Sequence, residues 1–259
     1  MEIDLSGRVG IVTGVGKGIG KEIILTLARE GVKTVGIDVN QADLDQLSQE
    51  FTEEGLEGMF FYCDVRDSKM IAEVVEKTIK MYGRIDLLVN NAGVAGNGEV
   101  ETLSEEIWDF CHDVNLKGMY LMCKAVIPIM KQQKFGRIIN SASFAAIIPS
   151  IGSAAYASSK AGVKQFSRVL AGELGPWNIT VNSYAAGMVP TTLNHFVELP
   201  QEEQDRLLDS LTLRKWGEKK DIAQFICFLA SDLAGYITGT LIDISGGKFA
   251  TQFPQVAYE

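Results

Sequence analysis

Short apolar runs alternate with longer amphipathic stretches along the whole chain, and this alternation predicts its architecture. The short runs are mostly rich in β-branched residues, as expected of parallel strands that helices cover on both faces. The predicted strands are Val9–Thr13, Lys33–Ile37, Met59–Cys63, Asp86–Val89, Arg137–Asn140, Thr180–Ser183 and Leu241–Ile244. The predicted helices are Gly20–Glu30, Gln41–Glu54, Ser68–Tyr82, Ser104–Lys131, Ala154–Gly175 and Asp221–Ser231. Together they predict an α/β fold built on a doubly wound parallel sheet.

No linker, internal repeat or low-complexity run interrupts the sequence, so we expect residues 1–259 to form a single domain. In open parallel sheets, ligands bind beyond the carboxyl ends of the strands. The residues that directly follow the predicted strands are therefore the candidates for binding and chemistry.

The overall charge narrows the range of partners. The net charge of −9 and the pI of about 4.9 argue against nucleic acid or a membrane surface as a partner. Four scattered cysteines, with no histidine cluster beside them, predict buried free thiols in a reducing compartment and no metal site. Residues Met1–Arg8 lack the apolar run of a secretory signal, and Asn140 and Pro149 break up the uncharged stretch Ile138–Ser159. We therefore expect a cytoplasmic protein.

A glycine-rich turn, TGVGKGIG over Thr13–Gly20, joins the first strand to the first helix. Glycine lets a backbone approach a pyrophosphate closely, and a helix N-terminus offers free N–H groups to it. The spacing is GxxxGxG rather than GxGxxG, and tight packing alone is the alternative explanation. Asp38 lies 20 residues after Gly18, at the end of the second strand, where a carboxylate can accept hydrogen bonds from a ribose. The alternative role for Asp38 is a helix N-cap; taken together, the turn and the acid favour dinucleotide binding.

Tyr156 and Lys160 lie four residues apart at the start of a predicted helix, so both side chains are expected on one helical face. A free tyrosine has a pKa of ~10, too high for a base at neutral pH. An ammonium about 4 Å away contributes roughly 4 kcal/mol at an effective dielectric of ~20, which equals about three pKa units. This pair is therefore a candidate for proton transfer near neutral pH.

Two further motifs lie after strands, NNAG at Asn90–Gly93 and NSAS ending at Ser143. A third, VNL around Asn115, lies within the long predicted helix. With the TGxxxGIG turn and YASSK at Tyr156–Lys160, the chain resembles the short-chain dehydrogenase/reductase family over nearly its whole length. The resemblance implies a Rossmann-type domain and a catalytic set of Asn115, Ser143, Tyr156 and Lys160. Tyr156 would transfer the proton, and Ser143 would hold the substrate oxygen. Lys160 would lower the tyrosine pKa and bind the nicotinamide ribose, and Asn115 would hold a water that connects Lys160 to solvent.

The resemblance also implies which residues contact the dinucleotide. The turn would meet the pyrophosphate, Asp64 and Val65 the adenine, NNAG the adenosine ribose, and residues after the sixth strand the carboxamide. The expected cofactor contacts are Gly14, Lys17, Gly18, Ile19, Asp38, Asp64, Val65, Asn91, Ala92, Gly93, Tyr156, Lys160, Val189 and Thr191. Ala186 replaces the family's usual proline, which puts the rigidity of that corner in doubt. Ser245-Gly246-Gly247 replaces the usual Asp-Gly-Gly, a change expected in a subunit-contact region and without effect on the chemistry.

The segment Met188–Trp216 resembles the family's substrate lid, at about 188–216. Apolar residues on it and after Ser143 predict a small neutral or mainly apolar alcohol or ketone as substrate. These residues are Phe144, Ile148, Ile151, Leu193, Phe196 and Val197. His195 is expected to be a surface histidine of the lid. The resemblance further implies a homotetramer in which the long helices pair.

Three functions compete. The first is an NAD(H)-dependent dehydrogenase or ketoreductase of a secondary alcohol, which Asp38 favours. The second is a 3-oxoacyl-acyl-carrier-protein reductase that uses NADPH; Asp38, the acidic net charge and Trp177, at a position where a basic residue is expected, argue against it. The third is a non-catalytic dinucleotide-binding regulator, which has no need of Tyr156 and Lys160 together. Lys17 favours NADP(H), but we expect Asp38 to outweigh it.

Overall fold

Residues 3–258 are described by a computed structural model of the chain. The strands are β1 Val9–Thr13, β2 Lys33–Asp38, β3 Gly58–Tyr62, β4 Leu87–Asn90, β5 Gly136–Ser141, β6 Ile179–Ala186 and β7 Leu241–Ile244. The α-helices are α1 Gly18–Arg29, α2 Gln41–Glu53, α3 Ser68–Tyr82, α4 Glu105–His112, α5 Met119–Gln133, α6 Ala154–Leu174, α7 Gln201–Leu208 and α8 Lys219–Ala230.

The strands form one parallel sheet in the order β3-β2-β1-β4-β5-β6-β7. The chain reverses its direction of winding between β1 and β4, which opens a crevice at their carboxyl ends. The prediction of a doubly wound parallel sheet with helices on both faces is confirmed.

The hydrophobic core lies in two layers, one on each face of the sheet. Helices α1 and α8 pack side by side on one face, where Ile24 and Ile226 are fully buried. Helices α3, α5 and α6 cover the other face, where Met122 and Val163 are buried. The four cysteines are buried and unpaired, so their thiols contribute to packing.

Three elements differ from the predicted ones by more than a residue or two at their ends. The predicted helix Ser104–Lys131 is interrupted by a π-helical segment, Asp113–Gly118. Strand β6 extends to Ala186 because its polar residues find distant partners: the Asn182 side chain, for example, donates to the Ile237 carbonyl at 2.8 Å. The predicted lid contains a short helix, α7, which is almost entirely polar and so lacks a strong apolar period. Over residues 3–258, none of the helices has the length and apolar character needed to cross a membrane.

Candidate active site

The glycine turn brings β1, α1 and the end of β4 into close contact. Gly14 has a φ of +70°, and a Cβ there would lie 2.8 Å from the Cα of Ala92. Gly20 is closer still, because its Cβ would collide with the Gly14 carbonyl. Tight packing therefore explains these two glycines, which was the alternative raised from the sequence.

Gly18 has a different environment. Its φ is +62°, and a Cβ there would make only an ordinary van der Waals contact, with Thr191 Cγ2 at 3.6 Å, so no close packing accounts for this glycine. Helix α1 begins at Gly18, and the side chain of Lys17, its N-cap, makes no capping hydrogen bond. The N–H groups of Gly18 and Ile19 therefore remain available at the positive end of the helix dipole. The turn fits the pyrophosphate of a dinucleotide.

Two carboxylates and one lysine lie beside this turn. Asp38 accepts hydrogen bonds from the backbone N–H of Gly16 at 2.8 Å and of Asn40 at 3.0 Å. Asn40, rather than Asp38, is the N-cap of α2, so the alternative role for Asp38 is wrong. Asp43 forms an ion pair with Lys17, with 3.2 Å between Nζ and Oδ2. The turn thus carries two acids and one base, and the base is already paired.

The NNAG segment after β4 links the nucleotide side of the site to the proton-transfer side. The Asn91 amide donates to the carbonyls of Thr13 and Gly14 at 3.2 and 3.1 Å, and its Oδ1 accepts from the Tyr184 hydroxyl at 3.2 Å. The Ala92 N–H donates to Thr13 Oγ1 at 2.9 Å. Both amide hydrogens of Asn91 are used in these bonds, so its side chain fixes the glycine turn against the end of β4.

Asp64 and Val65 follow β3. The Asp64 carboxylate pairs with Arg66, with 2.6 Å between Oδ2 and Nη2, and this bond lowers the pKa of Asp64. The Arg66 guanidinium lies over the Phe110 ring at 4.9 Å. Val65 is buried and packs against Gly118, where a Cβ would lie 2.7 Å from Val65 Cγ2. An adenine amino group would therefore share Asp64 with Arg66.

Ser143, Tyr156 and Lys160 meet at the carboxyl end of β5. Ser143 is 6% exposed and its Oγ accepts from the Ala145 N–H at 3.1 Å. The Ser143 side chain lies close enough to Tyr156 to act on the pKa of the tyrosine, which it lowers. Lys160 is 3% exposed, and its Nζ donates to the Ser141 carbonyl at 2.7 Å and lies 5.7 Å from the centre of the Tyr156 ring. The three side chains predicted to act together are therefore brought together.

Burial raises the pKa of Tyr156, and the Ser143 side chain opposes this only in part. The lowering that was expected from Lys160 stays a prediction. Burial also lowers the pKa of Lys160, to about 8. The ammonium binds Ser141 and approaches the ring of the tyrosine.

Asn115 lies in the π-helical segment, a kind of irregularity that is common at functional sites. Its Oδ1 accepts from the Val94 N–H at 2.8 Å, and its Nδ2 donates to the Val94 carbonyl and to Ser159 Oγ, each at 3.0 Å. A Cβ on Gly93 would lie 3.3 Å from Asn115 Oδ1 and 3.4 Å from Lys160 Nζ. Asn115 thus belongs to the cluster, and its side chain holds the segment after β4.

The residues after β6 form the opposite wall. Ala186 pairs with Ile244 of β7, and the Gly187 N–H donates to the Ile244 carbonyl at 2.9 Å, so the sheet itself fixes this corner in place of a proline. Val189 is buried in the core, and its carbonyl accepts from the Asn194 amide at 2.8 Å. Thr191 faces Gly18 across the crevice.

Lys248 is a residue of this edge that sequence reasoning missed. Its Nζ donates to Ser210 Oγ at 2.6 Å and lies 5.9 Å from the centre of the Phe144 ring. The signal was available, because residues after β7 share the carboxyl edge of a parallel sheet with those after β5 and β6.

The chain is similar to known proteins over nearly its whole length. A family model described as enoyl-(acyl carrier protein) reductase matches residues 14–248. The 3-oxoacyl-acyl-carrier-protein reductase FabG of Thermotoga maritima is 40% identical over 245 residues, 94% of this chain and 98% of that protein. The (2S)-((R)-hydroxy(phenyl)methyl)succinyl-CoA dehydrogenase subunit BbsD of Thauera aromatica is 38% identical, covering 94% of this chain and 97% of that protein. The crystal structure of levodione reductase superposes with a TM-score of 0.91 at 30% identity, covering 95% of this chain and 99% of that one.

The chain belongs to the short-chain dehydrogenase/reductase family. It is an oxidoreductase that acts on a CH–OH group or the corresponding ketone and binds a nicotinamide dinucleotide.

Proposed function

We propose that the protein interconverts a secondary alcohol and a ketone with NAD(H), using Tyr156 as the general acid and base. The observation that carries this proposal is that Tyr156 and the buried Lys160 meet at the carboxyl end of β5, with 5.7 Å between Lys160 Nζ and the centre of the Tyr156 ring. The pair lies at the same sheet edge as a helix N-terminus that suits a pyrophosphate.

The chain's own groups account for the movement of one proton. Ser143 Oγ accepts from Ala145, and we expect its hydroxyl to donate to the substrate oxygen and so orient the carbonyl. In reduction, the Tyr156 hydroxyl donates its proton to that oxygen while a carbon–hydrogen bond forms. The bound dinucleotide supplies the hydride in reduction and accepts it in oxidation. In oxidation, Tyr156 must first lose its proton and then take the alcohol proton.

Lys160 stabilises the phenolate that reduction leaves behind. At a pKa of about 8, it carries its charge at neutral pH, and charge on the ammonium favours the ionised tyrosine. We expect the same ammonium to bind the nicotinamide ribose and Asn115 to position the backbone around it. The contacts expected for Lys17, Ile19, Asp64, Val65, Val189 and Thr191 belong to the same proposal.

Asp38 and Asp43 support NAD(H) as the cofactor. Each adds a negative charge beside the turn where we place the adenosine ribose, and Asp43 occupies the ammonium of Lys17. A 2′-phosphate placed there would meet like charge and find Lys17 already paired.

The surface around the site is apolar. Ile148, Ile151, Leu193 and Val197 are all exposed large hydrophobic residues of the loop after β5 and of the lid. Phe196 stacks on Trp216, with 5.5 Å between ring centres. We therefore propose a substrate whose body is small and mainly apolar.

We also propose a homotetramer. Exposed aromatic and aliphatic side chains cluster on α4, α5 and α6, and they include Trp108, Tyr120 and Val169. A groove of about 600 Å³ lies between these helices. Exposed apolar patches of this kind mark association surfaces, and light scattering would measure the mass directly.

A second candidate is the reduction of a 3-oxoacyl thioester with NADPH. The 3-oxoacyl-acyl-carrier-protein reductases among the relatives favour it, and the two carboxylates beside Lys17 argue against NADPH.

One assay separates these functions. The absorbance change of NADH and of NADPH is followed with a panel of neutral ketones, oxo acids, sugars and acyl thioesters. The Tyr156→Phe and Tyr236→Phe variants are compared on the best compound, because Tyr236 is fully exposed. Loss of turnover in Tyr156→Phe but not in Tyr236→Phe supports the proposal. Turnover that Tyr156→Phe does not reduce would refute the assignment of Tyr156.

A further inference from the structure

The turn after the last strand delivers a lysine to the catalytic edge of the sheet. Strand β7 ends at Ile244, and Gly246 and Gly247 then adopt φ values of +66° and +85°, which side chains rarely allow. The chain reverses there, and the Lys248 N–H donates to Ser245 Oγ at 3.0 Å. Lys248 is therefore fixed at its backbone and directed away from the sheet.

The Lys248 ammonium lies between the catalytic loop and the lid. Phe144 follows Ser143 directly, and its ring centre lies 5.9 Å from Lys248 Nζ. On the other side, Nζ donates to Ser210 Oγ at 2.6 Å, just after helix α7 of the lid. The cation thus lies beside the space where we place the substrate.

This cation has no anionic partner among residues 3–258. Lys248 is half-buried and takes part in none of the ion pairs of the described chain. The acid next to Ser210, Asp209, is bonded to Arg214, with 2.7 Å between Oδ1 and Nε. Burial lowers the pKa of Lys248, and no carboxylate opposes that effect. A half-buried ammonium without a counter-ion is costly, and a bound anion would remove that cost.

We propose that Lys248 binds a carboxylate of the substrate, so that the enzyme acts on a hydroxy acid and the corresponding oxo acid. This inference rests on the proposed function and refines its substrate class. An ammonium has three donors, of which Ser210 takes one, so two remain for the carboxylate. The apolar body of the substrate would then lie against Phe144 and the lid, which narrows the expectation of a small neutral or mainly apolar substrate to a mainly apolar one with a single carboxylate.

Another anion, the phosphate of a pantetheine arm, fits this position less well. Many bonds separate that phosphate from the thioester carbonyl, whereas Lys248 lies next to the loop that carries Ser143. A structural role is the other alternative, in which Lys248 only ties the tail to the lid through Ser210.

The test uses a series of oxo carboxylates that differ in the distance between the oxo group and the carboxylate. Each acid is compared with its methyl ester, which serves as the matched neutral substrate. The kcat/KM ratio of acid to ester is measured for the wild type, Lys248→Met, Lys248→Arg and Lys215→Met. Lys215 is exposed, lies on the lid and takes part in no ion pair of the described chain, so its variant loses the same charge nearby.

For the best carboxylate, we expect the ratio to fall by about 10-fold or more in Lys248→Met, mainly through the KM of the acid. Lys248→Arg should keep most of the preference, and Lys215→Met should match the wild type. An unchanged ratio in Lys248→Met would overturn the inference, as would an equal loss on acid and ester with a lower Tm, the sign of a purely structural tie.

The failures of the two proposals are distinguishable. Turnover of neutral ketones or thioesters, with no preference for any carboxylate, overturns the role of Lys248 and leaves the proposed oxidoreductase intact. If no carbonyl compound is reduced with either dinucleotide, the proposed function fails and the inference fails with it.

Discussion

The pair Asp38 and Asp43 gives the sharpest test of cofactor choice. Asp38→Asn removes a charge and keeps one oxygen to accept the Gly16 N–H, which Asp38 now binds at 2.8 Å. Asp43→Asn removes the partner that holds Lys17 Nζ at 3.2 Å. We expect both variants to improve the use of NADP, because the first removes a repulsion and the second also frees a cation.

The magnitude follows from distance and screening. Two unit charges about 4 Å apart interact by roughly 4 kcal/mol at an effective dielectric of ~20. Both carboxylates are only partly buried, so solvent and salt reduce this to about 1–2 kcal/mol for each. Each 1.4 kcal/mol corresponds to about a factor of ten. We therefore expect kcat/KM for NADP to rise about 5- to 30-fold in Asp38→Asn and in Asp43→Asn.

The assay measures kcat/KM for NAD and NADP with one substrate at low ionic strength. Asp45→Asn is the matched control, since Asp45 lies on the same helix and bonds only to Gln41, at 2.7 Å. A wild-type preference for NAD below ten-fold would refute the assignment of NAD. A rise in NADP use in Asp45→Asn equal to that in Asp43→Asn would show a general charge effect and refute the role of the Lys17 pair.

Three further outcomes are expected. Tyr156→Phe should lower turnover by at least ~10²-fold with NADH binding retained, as measured by steady-state kinetics and fluorescence titration. Lys160→Ala should lower turnover and also weaken NADH binding. If Lys160→Ala lowers turnover without weakening NADH binding, the contact between Lys160 and the ribose is excluded. Because burial raises the pKa of Tyr156, the protonated form persists to higher pH, so oxidation should accelerate as pH rises above neutral while reduction does not; an oxidation rate that is independent of pH would contradict this. Gly14→Ala should lower the Tm by several degrees, since a φ of +70° and the contact with Ala92 each cost about 1 kcal/mol or more. Gly55 is the control, because it shares the positive φ but has no neighbour within 4 Å. An equal loss of Tm in Gly14→Ala and Gly55→Ala would exclude the contact with Ala92 as a cause.

Local patterns predicted most of the fold and the residues that gather at the site. The strands follow from short β-rich runs, and the placement of Ser143 and Tyr156 follows from motifs at strand and helix ends. What escaped prediction depends on contacts between distant parts of the chain. The π-helical segment is fixed by Asn115, whose side chain is hydrogen-bonded to Val94, 21 residues earlier. The hydrophobic periodicity of the sequence does not indicate that bond.

The electrostatics of the site were less predictable for the same reason. The spacing of Tyr156 and Lys160 indicated that they lie together, but the direction of each pKa shift depends on burial by the folded chain. The ion pair of Lys17 with Asp43 and the position of Lys248 beside Phe144 join residues on separate elements. Sequence distance gave no reason to connect them.

Gly16 constrains how this enzyme could evolve toward a different cofactor. A Cβ at this position would lie 2.9 Å from Asp43 Cβ and 3.0 Å from Asp38 Oδ2. A basic or hydroxyl side chain at residue 16 that could bind a 2′-phosphate therefore has no space while both acids are present. The acids must change first, and replacing either one removes a negative charge beside the turn, so the use of NADP is expected to improve before residue 16 can change. The order of mutations is thereby restricted, and an adaptive route to NADP would begin on α2 rather than within the glycine turn.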